Sequence, residues 1–177
     1  MVPDKRKNMT GKLAFKPLTA ARWGDFEKLF GPRGACGGCW CMYWRLTHSE
    51  FERDKGDRNR EAMRKIVEGG EFPGIVAYDG GEPVAWCSIG PREGFPRLGR
   101  SRILKPVDDE PVWSVVCFFV NKEWRGKGIT PGLLEAAKKF AKARSCRIIE
   151  GYPVEPKKDR MPETFAYHGL ASAFSRS

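Results

Sequence analysis

The stretch from Val115 to Leu134, VVCFFVNKEWRGKGITPGLL, constrains this chain more than any other. An apolar run leads into a glycine-rich turn, and the turn leads into a helical pattern. Val112 to Val120 is rich in β-branched and aromatic side chains, which predicts a buried strand flanked on both sides by other strands. Leu133, Leu134, Ala137, Phe140 and Ala141 then recur at helical spacing while Lys138, Lys139 and Lys142 fall elsewhere, so an amphipathic helix follows. Between strand and helix lie Arg125, Gly126, Lys127, Gly128, Ile129 and Thr130. Glycines let a backbone approach a ligand closely, and the free N–H groups of a helix start, with its dipole, form an anion site. Pro131 suits the first helical turn, where its missing donor is not needed.

The rest of the chain reads as alternating helices and strands. LAFKPL, Leu13 to Leu18, predicts a short strand, with Thr19 as the cap of a helix running to about Phe30. GPRGACGG breaks that helix. Beyond the cysteine-rich GGCWCMYW, residues Ser49 to Glu68 predict one helix, stopped by Gly69 and Gly70. GIVAYDGGEPVAWCSIG predicts a hairpin turning at Asp79, Gly80 and Gly81. Pro91 to Pro106 predicts a long loop, and RIIEGY a late strand. With 177 residues, the expectation is a flexible tail over 1–11 and a single domain over 12–177.

Charge and cysteine usage narrow the function classes. A formal charge of +10 invites a nucleic-acid reading, yet the basic residues are scattered and interleaved with 22 acidic ones. No RNP pattern or finger framework accompanies them, so nucleic acid ranks low as a partner. No run reaches the length of a membrane span, and MVPDKRKNMTGK lacks the apolar segment of a secretory signal, so the expectation is a soluble cytoplasmic protein with no membrane partner. Cys36, Cys39, Cys41, Cys87, Cys117 and Cys146 are then expected as free thiols. Cys36, Cys39 and Cys41 with His48 could complete a tetrahedral zinc site, but the usual second C-x-x-C is missing. The alternative is a partly buried loop forming one wall of an acceptor pocket, and the expectation retained is no metal.

The glycine turn is neither of two well-known phosphate loops. It lacks the G-x-x-x-x-G-K-[ST] spacing of a P-loop and the G-x-G-x-x-G of a dinucleotide fold. The order strand, RGKGI, helix resembles instead the GNAT superfamily of acyl-CoA-dependent N-acetyltransferases. Arg125, Gly128 and position 130 fall on the signature [QR]-x-x-G-x-[GA], with Thr130 departing from the small third residue. LAFKPLTAARWGDFEKLF resembles the first strand and helix of that family, the hairpin its second and third strands, and CRIIEGYPVEP its fifth, so the likeness covers roughly residues 13 to 174. GGCWCMYW, EGYPVEP and YHGLASAF together resemble a bacterial subgroup with a Cys-rich loop.

The resemblance implies an α/β (α+β) fold with a mixed central sheet flanked by helices. It implies acetyl-CoA as cosubstrate, with pantetheine along Phe118, Phe119 and Val120 and the diphosphate on Arg125, Gly126, Lys127, Gly128, Ile129 and Thr130. The acceptor would be a primary amine of a small molecule or a protein, attacking the thioester directly; a non-catalytic CoA-binding or nucleic-acid-binding module is the alternative. An ammonium must lose a proton before it attacks. Glu150 falls where several members carry the base, with Asp108, Asp109 and Glu110 as further candidates. Phe174 falls at the usual place of the acid tyrosine. Tyr167, seven residues earlier and on the same face of a helix expected over Pro162 to Phe174, is the candidate acid, and Tyr152 a second. Members usually add a final hairpin, but the sequence stops at AFSRS. The expectation is therefore a sheet lacking that hairpin, with a fifth-strand edge open to a second copy and a possible homodimer.

Overall fold

The computed structural model describes residues 9, 11–155, 167–169 and 171–175. The expected tail therefore lies outside the described residues, apart from Met9 and Gly11. Five strands form one sheet, in the order β1 (Ala14–Pro17), β2 (Gly74–Asp79), β3 (Glu82–Pro91), β4 (Trp113–Val120) and β5 (Ile149–Gly151). The first four pair antiparallel, and β5 joins β4 in parallel. A parallel neighbour needs a crossover, and the helix α5 (Ile129–Lys142) supplies it.

The register of β4 decides which of its side chains face which layer. Ser88 pairs with Cys117 but Ile89 pairs with Val115, so Val116 is an extra residue, a β-bulge that resets the alternation of faces. Val115 and Phe118 pack with Leu133, Leu134 and Ala137 on the α5 side of the sheet. Cys117 and Phe119 pack on the opposite side, against the layer that holds Phe26, Trp40, Met63 and Trp86. That second layer is built by α1 (Trp23–Phe30), α3 (Asp57–Glu68) and the cysteine loop, with the Phe26 ring edge-on to Trp86 at 4.9 Å. A third cluster, Trp44, Phe95, Leu98 and Val116, sits at the bulge itself. β5 pairs with Trp113 to Val115 and no further, so the two strands part at the bulge.

Several boundaries differ from expectation for local reasons. The single helix over Ser49 to Glu68 is two, α2 (His48–Asp54) and α3, broken at Lys55 and Gly56. Thr47 starts α2 through a reciprocal capping box with Glu50, worth about 1 kcal/mol. The break has a use: Gly56 donates its N–H to the Gly38 carbonyl at 3.0 Å, and Asn59 Nδ2 donates to the same oxygen at 3.2 Å. A Cβ on Gly38 would lie 2.4 Å from the Gly56 nitrogen, so only glycine lets the cysteine loop dock there. Thr19 precedes a 3₁₀ turn, Ala20–Arg22, and its side chain makes no cap hydrogen bond. The expected loop after Pro91 contains a 3₁₀ turn, Arg92–Gly94, and the short helix α4 (Pro96–Gly99), anchored by buried Phe95 and Leu98.

Tyr167 lies in a turn and not on a helical face shared with Phe174; the helix described there is α6 (Ala171–Phe174). Residues 162–166 and 170 of the helix expected from Pro162 lie outside the described residues. Phe174 covers Gly151 of β5, where a Cβ would meet its ring at 2.3 Å, and packs edge-on against Phe118. Part of the β5 face expected to be open is thus occupied by the chain itself. Among the described residues no helix is long and apolar enough to cross a membrane.

Candidate active site

The glycine turn is held from both sides. Beyond β4, Asn121 Oδ1 accepts from the Glu123 N–H at 3.3 Å and starts a 3₁₀ turn over Lys122–Trp124. Trp124 Nε1 donates to Asp79 Oδ2 at 3.2 Å, fastening the turn to the β2–β3 hairpin, and Arg125 Nε donates to the Val120 carbonyl at 2.9 Å. Gly128 is the N-cap of α5 at φ +70°, a left-handed conformation that costs any other L-residue roughly 1–2 kcal/mol. Nothing lies within 4 Å of where its Cβ would be, so the backbone there is open to a ligand. No side chain caps α5, and its first N–H groups have no partner within the helix. Lys127 Nζ is buried with no hydrogen-bond partner. Backbone donors, the positive end of a 14-residue helix and an unpaired ammonium together fit a phosphate group.

One cavity of about 940 Å³ runs from this turn to the cysteine loop. Gly126, Gly128 and Thr130 line one end, Phe118 to Val120 the middle, and Cys39, Cys41, Tyr43, Trp44 and Phe51 the far wall, with Tyr167 beside them. The parting of β4 from β5 creates it. Its wall contains no carboxylate and no imidazole among the described residues; Lys55 and Arg125 supply its charge. The Phe118 N–H already donates to the Tyr167 carbonyl at 2.6 Å, so the Phe119 and Val120 end of the strand is what a long thiol-bearing chain would meet.

The thiols at the far wall are not equivalent. Cys41 is buried at the bottom of the loop, where Trp86 Nε1 donates to its sulfur at 3.1 Å. A hydrogen bond from Cys117 lowers its pKa most; burial opposes that, and Trp86, Ser88 and the positive charge of Arg45 add to the lowering. Cys117 is pushed up by the same contact and by burial, and Cys39 is pushed up by burial and by Cys41. Cys41, lowered to about 7, is thus the most readily ionised thiol of the three. The loop reaches this geometry at a cost, because Trp40 and Cys41 are consecutive non-glycine residues at φ +45° and +59°. Among the described residues no group of three or more His, Cys, Asp or Glu side chains is arranged to hold a metal ion, and His48 begins α2.

The other sequence-derived candidates fall outside that wall, except Tyr167. Glu150, on β5, lines a separate hollow with Leu134 and Phe174. Its Oε1 accepts from Ser114 Oγ at 2.5 Å and from the Tyr152 hydroxyl at 2.5 Å, and pairs with Arg92 Nη1. Burial raises its pKa, but the bonds from Ser114, Tyr152 and Arg92 outweigh that and hold it below the ordinary value. Burial first, and then the Glu150 carboxylate, push Tyr152 up to about 12. Burial also pushes Tyr167 up to about 12, with the neighbouring Tyr43, Cys117 and Cys39 adding to it, so its hydroxyl is a proton holder facing the thiols. Asp108, Asp109 and Glu110 are exposed on the segment before β4. Cys41, Cys117, Trp86 and Arg45 were not legible as a set: they come from three separate segments, and only the Cys39–Cys41 cluster signalled part of it.

A mixed sheet whose parallel strand pair opens beside a glycine turn and a helix N-terminus is a GNAT-like α/β fold. The acetyltransferase (GNAT) family profile matches residues 40–160, more than half of the chain, and the chain belongs to that family. Among solved structures, the aminoglycoside N-acetyltransferase AAC(6')-Iy in complex with CoA is 13% identical, with 89% of this chain and 83% of that chain covered and a TM-score of 0.56. An aminoglycoside acetyltransferase from an uncultured soil metagenomic sample is 17% identical, with 83% of each chain covered and a TM-score of 0.53. A GCN5-related N-acetyltransferase from Ralstonia eutropha JMP134 is 15% identical, covering 86% of this chain and 99% of that one at a TM-score of 0.50. At these identities the likeness is one of fold. A sequence search among curated proteins returns no match.

Proposed function

We propose that the chain is an acetyl-CoA-dependent N-acetyltransferase that acylates a primary amine of a small molecule or a protein. The observation that carries this reading is the single cavity joining the glycine turn and the open end of β4 to an aromatic and thiol-lined wall. Gly126 to Thr130 and Lys127 hold the diphosphate, and Phe119 and Val120 flank the pantetheine arm. The thioester then lies between Cys117 and the far wall. Tyr167, whose hydroxyl keeps its proton to about 12, is placed to protonate the departing thiolate. In the route closest to the family pattern the amine attacks the thioester directly.

The wall also speaks to the acceptor. Tyr43, Trp44 and Phe51 with no carboxylate among the described lining residues, and with Lys55 at the rim, suit an amine on an apolar or aromatic body. Among the described lining residues a polycation such as an aminoglycoside would find no counter-charge. The test is a thermal melt with acetyl-CoA, followed by thiol release across an amine panel. Acetyl-CoA at a hundredfold excess over its Kd should stabilise the fold by about 2.7 kcal/mol, and monoamines with aromatic groups should turn over ahead of polyamines. Stabilisation without thiol release for any amine would leave a CoA-binding module instead.

A further inference from the structure

The cavity poses a chemical question that the family pattern does not answer: it is built for acyl transfer, yet no carboxylate or imidazole lines it among the described residues. What it does contain is a sulfur prepared as a nucleophile. We propose that Cys41 takes the acetyl group from acetyl-CoA, and that the amine is then acylated from a Cys41 thioester. This rests on the acetyl-CoA reading above and deepens it.

Four observations converge on Cys41 rather than on its neighbours. It lines the cavity shared with the glycine turn and the open end of β4. An indole N–H points at its sulfur from Trp86 at 3.1 Å, the contact that stabilises a thiolate and not a thiol donor. Arg45, whose Nε is buried without a hydrogen-bond partner, adds its positive charge; its Nη2 donates to the Pro73 carbonyl at 3.2 Å. Finally, the backbone bends through two successive left-handed residues, Trp40 and Cys41, at a cost of about 1–3 kcal/mol each. That bend places the sulfur beneath Trp86, while Cys36 of the same loop is exposed. The bulge at Val116 completes the arrangement by turning Cys117 to the same side of the sheet.

The step balances without any oxidant or further co-reactant. The Cys41 thiolate forms a bond to the acetyl carbonyl carbon, the bond from that carbon to the CoA sulfur breaks, and the CoA thiolate takes the Tyr167 hydroxyl proton. One thioester replaces another, so the bonds made and broken at carbon are alike, and the proton taken from Tyr167 is the uphill part of the step. The amine then attacks the Cys41 thioester; the carbon–sulfur bond breaks, the thiolate is restored, and of the two protons lost from the ammonium one returns to Tyr167 and one leaves to solvent. The amine meets a thioester in either route, but here it is the one on Cys41.

The experiment needs no knowledge of the acceptor. Enzyme, acetyl-CoA and isotopically labelled CoA are mixed with no amine, and transfer of label into acetyl-CoA is followed. A covalent station predicts exchange; direct attack predicts none. Rapid acid quench and peptide mass spectrometry should place a hydroxylamine-labile acetyl group on Cys41, and CoA should protect Cys41 from alkylation by iodoacetamide. Cys41→Ser and Cys41→Ala should lower exchange by at least about 10²-fold while keeping the acetyl-CoA melting shift. Wild-type protein that shows the melting shift but neither exchange nor a Cys41 thioester overturns the proposal and leaves direct attack standing. An acetyl group found on Cys36 or Cys39 overturns the assignment. Absence of the melting shift itself would remove the acetyl-CoA reading, and this inference with it.

Discussion

The two hollows on either side of the β4–β5 junction contrast in how their polar groups are spent. Beside β5, the Glu150 carboxylate, which lines one hollow, is bonded to Arg92, Ser114 and Tyr152, and those three side chains bond among themselves. At the cavity beside the open end of β4, the helix N-terminus has donors to spare, Lys127 Nζ and Arg45 Nε lie buried nearby without a hydrogen-bond partner, and the Cys41 sulfur on the wall is held by an indole bond and a neighbouring thiol. A closed network stabilises a fold, whereas unspent groups around a void await a ligand. On that contrast rests the proposal of structure for the first region and chemistry for the second.

The hardest way to break that contrast is at Gly128. Gly128→Glu places a carboxylate in the open approach to the turn and forces a strained left-handed residue, so the melting shift with acetyl-CoA should vanish while the protein stays folded. A retained shift would take the ligand away from this end of the cavity. Next in size is Tyr167→Phe, which removes the proton holder that faces the thiols. Turnover should fall by about 10²-fold with the acetyl-CoA Kd unchanged, measured by thiol release and by melts.

Glu150→Gln tests the other region. It should cost about 1–3 kcal/mol of stability by weakening the bonds to Arg92, Ser114 and Tyr152, and change turnover only a few-fold. The sign with pH follows from the lowered pKa of Glu150. Its contribution is present above the unfolded value of about 4.3 and is lost as pH falls through the lower folded value, so wild type and variant should converge in denaturant melts below about pH 4. A fall of about 10²–10⁴-fold in turnover with stability intact would instead make Glu150 the general base. The smallest effect is expected from Cys117→Ala. Without that thiol's hydrogen bond the Cys41 pKa rises, and alkylation of Cys41 at neutral pH should slow, read by peptide mapping.

Much of this was legible in the sequence, because the signals were local. The strand, glycine turn and helix from Val115 onward, and the hairpin at Gly80, depend on neighbours a few residues apart. The break at Gly56 was not legible: a glycine in a charged helical pattern is tolerated unless something docks on it, and what docks is Gly38 from another segment. Glu150 was placed on the right strand, but its neighbours Arg92 and Ser114 come from β3's exit and β4, and no spacing along the chain reports them. Tyr167 was placed by helical arithmetic that fails, since it lies in a turn, yet the turn brings its hydroxyl to the cavity all the same.

Val116 carries a consequence for how this enzyme could be altered. Because the bulge inserts one residue into a strand whose sides alternate, β4 has two phases, one before it and one after. Straightening the bulge so that Val116 pairs as an ordinary residue would turn Cys117 toward α5 and Phe118 toward the cysteine loop, trading a sulfur for a ring at the cavity wall. Deleting Val116 would instead leave Val115 and Cys117 opposite the adjacent Ile89 and Ser88, on the faces they hold now, and would take a side chain from the cluster with Trp44, Phe95 and Leu98. The extra residue is slack in the strand, spent on that third cluster while the two faces keep their count.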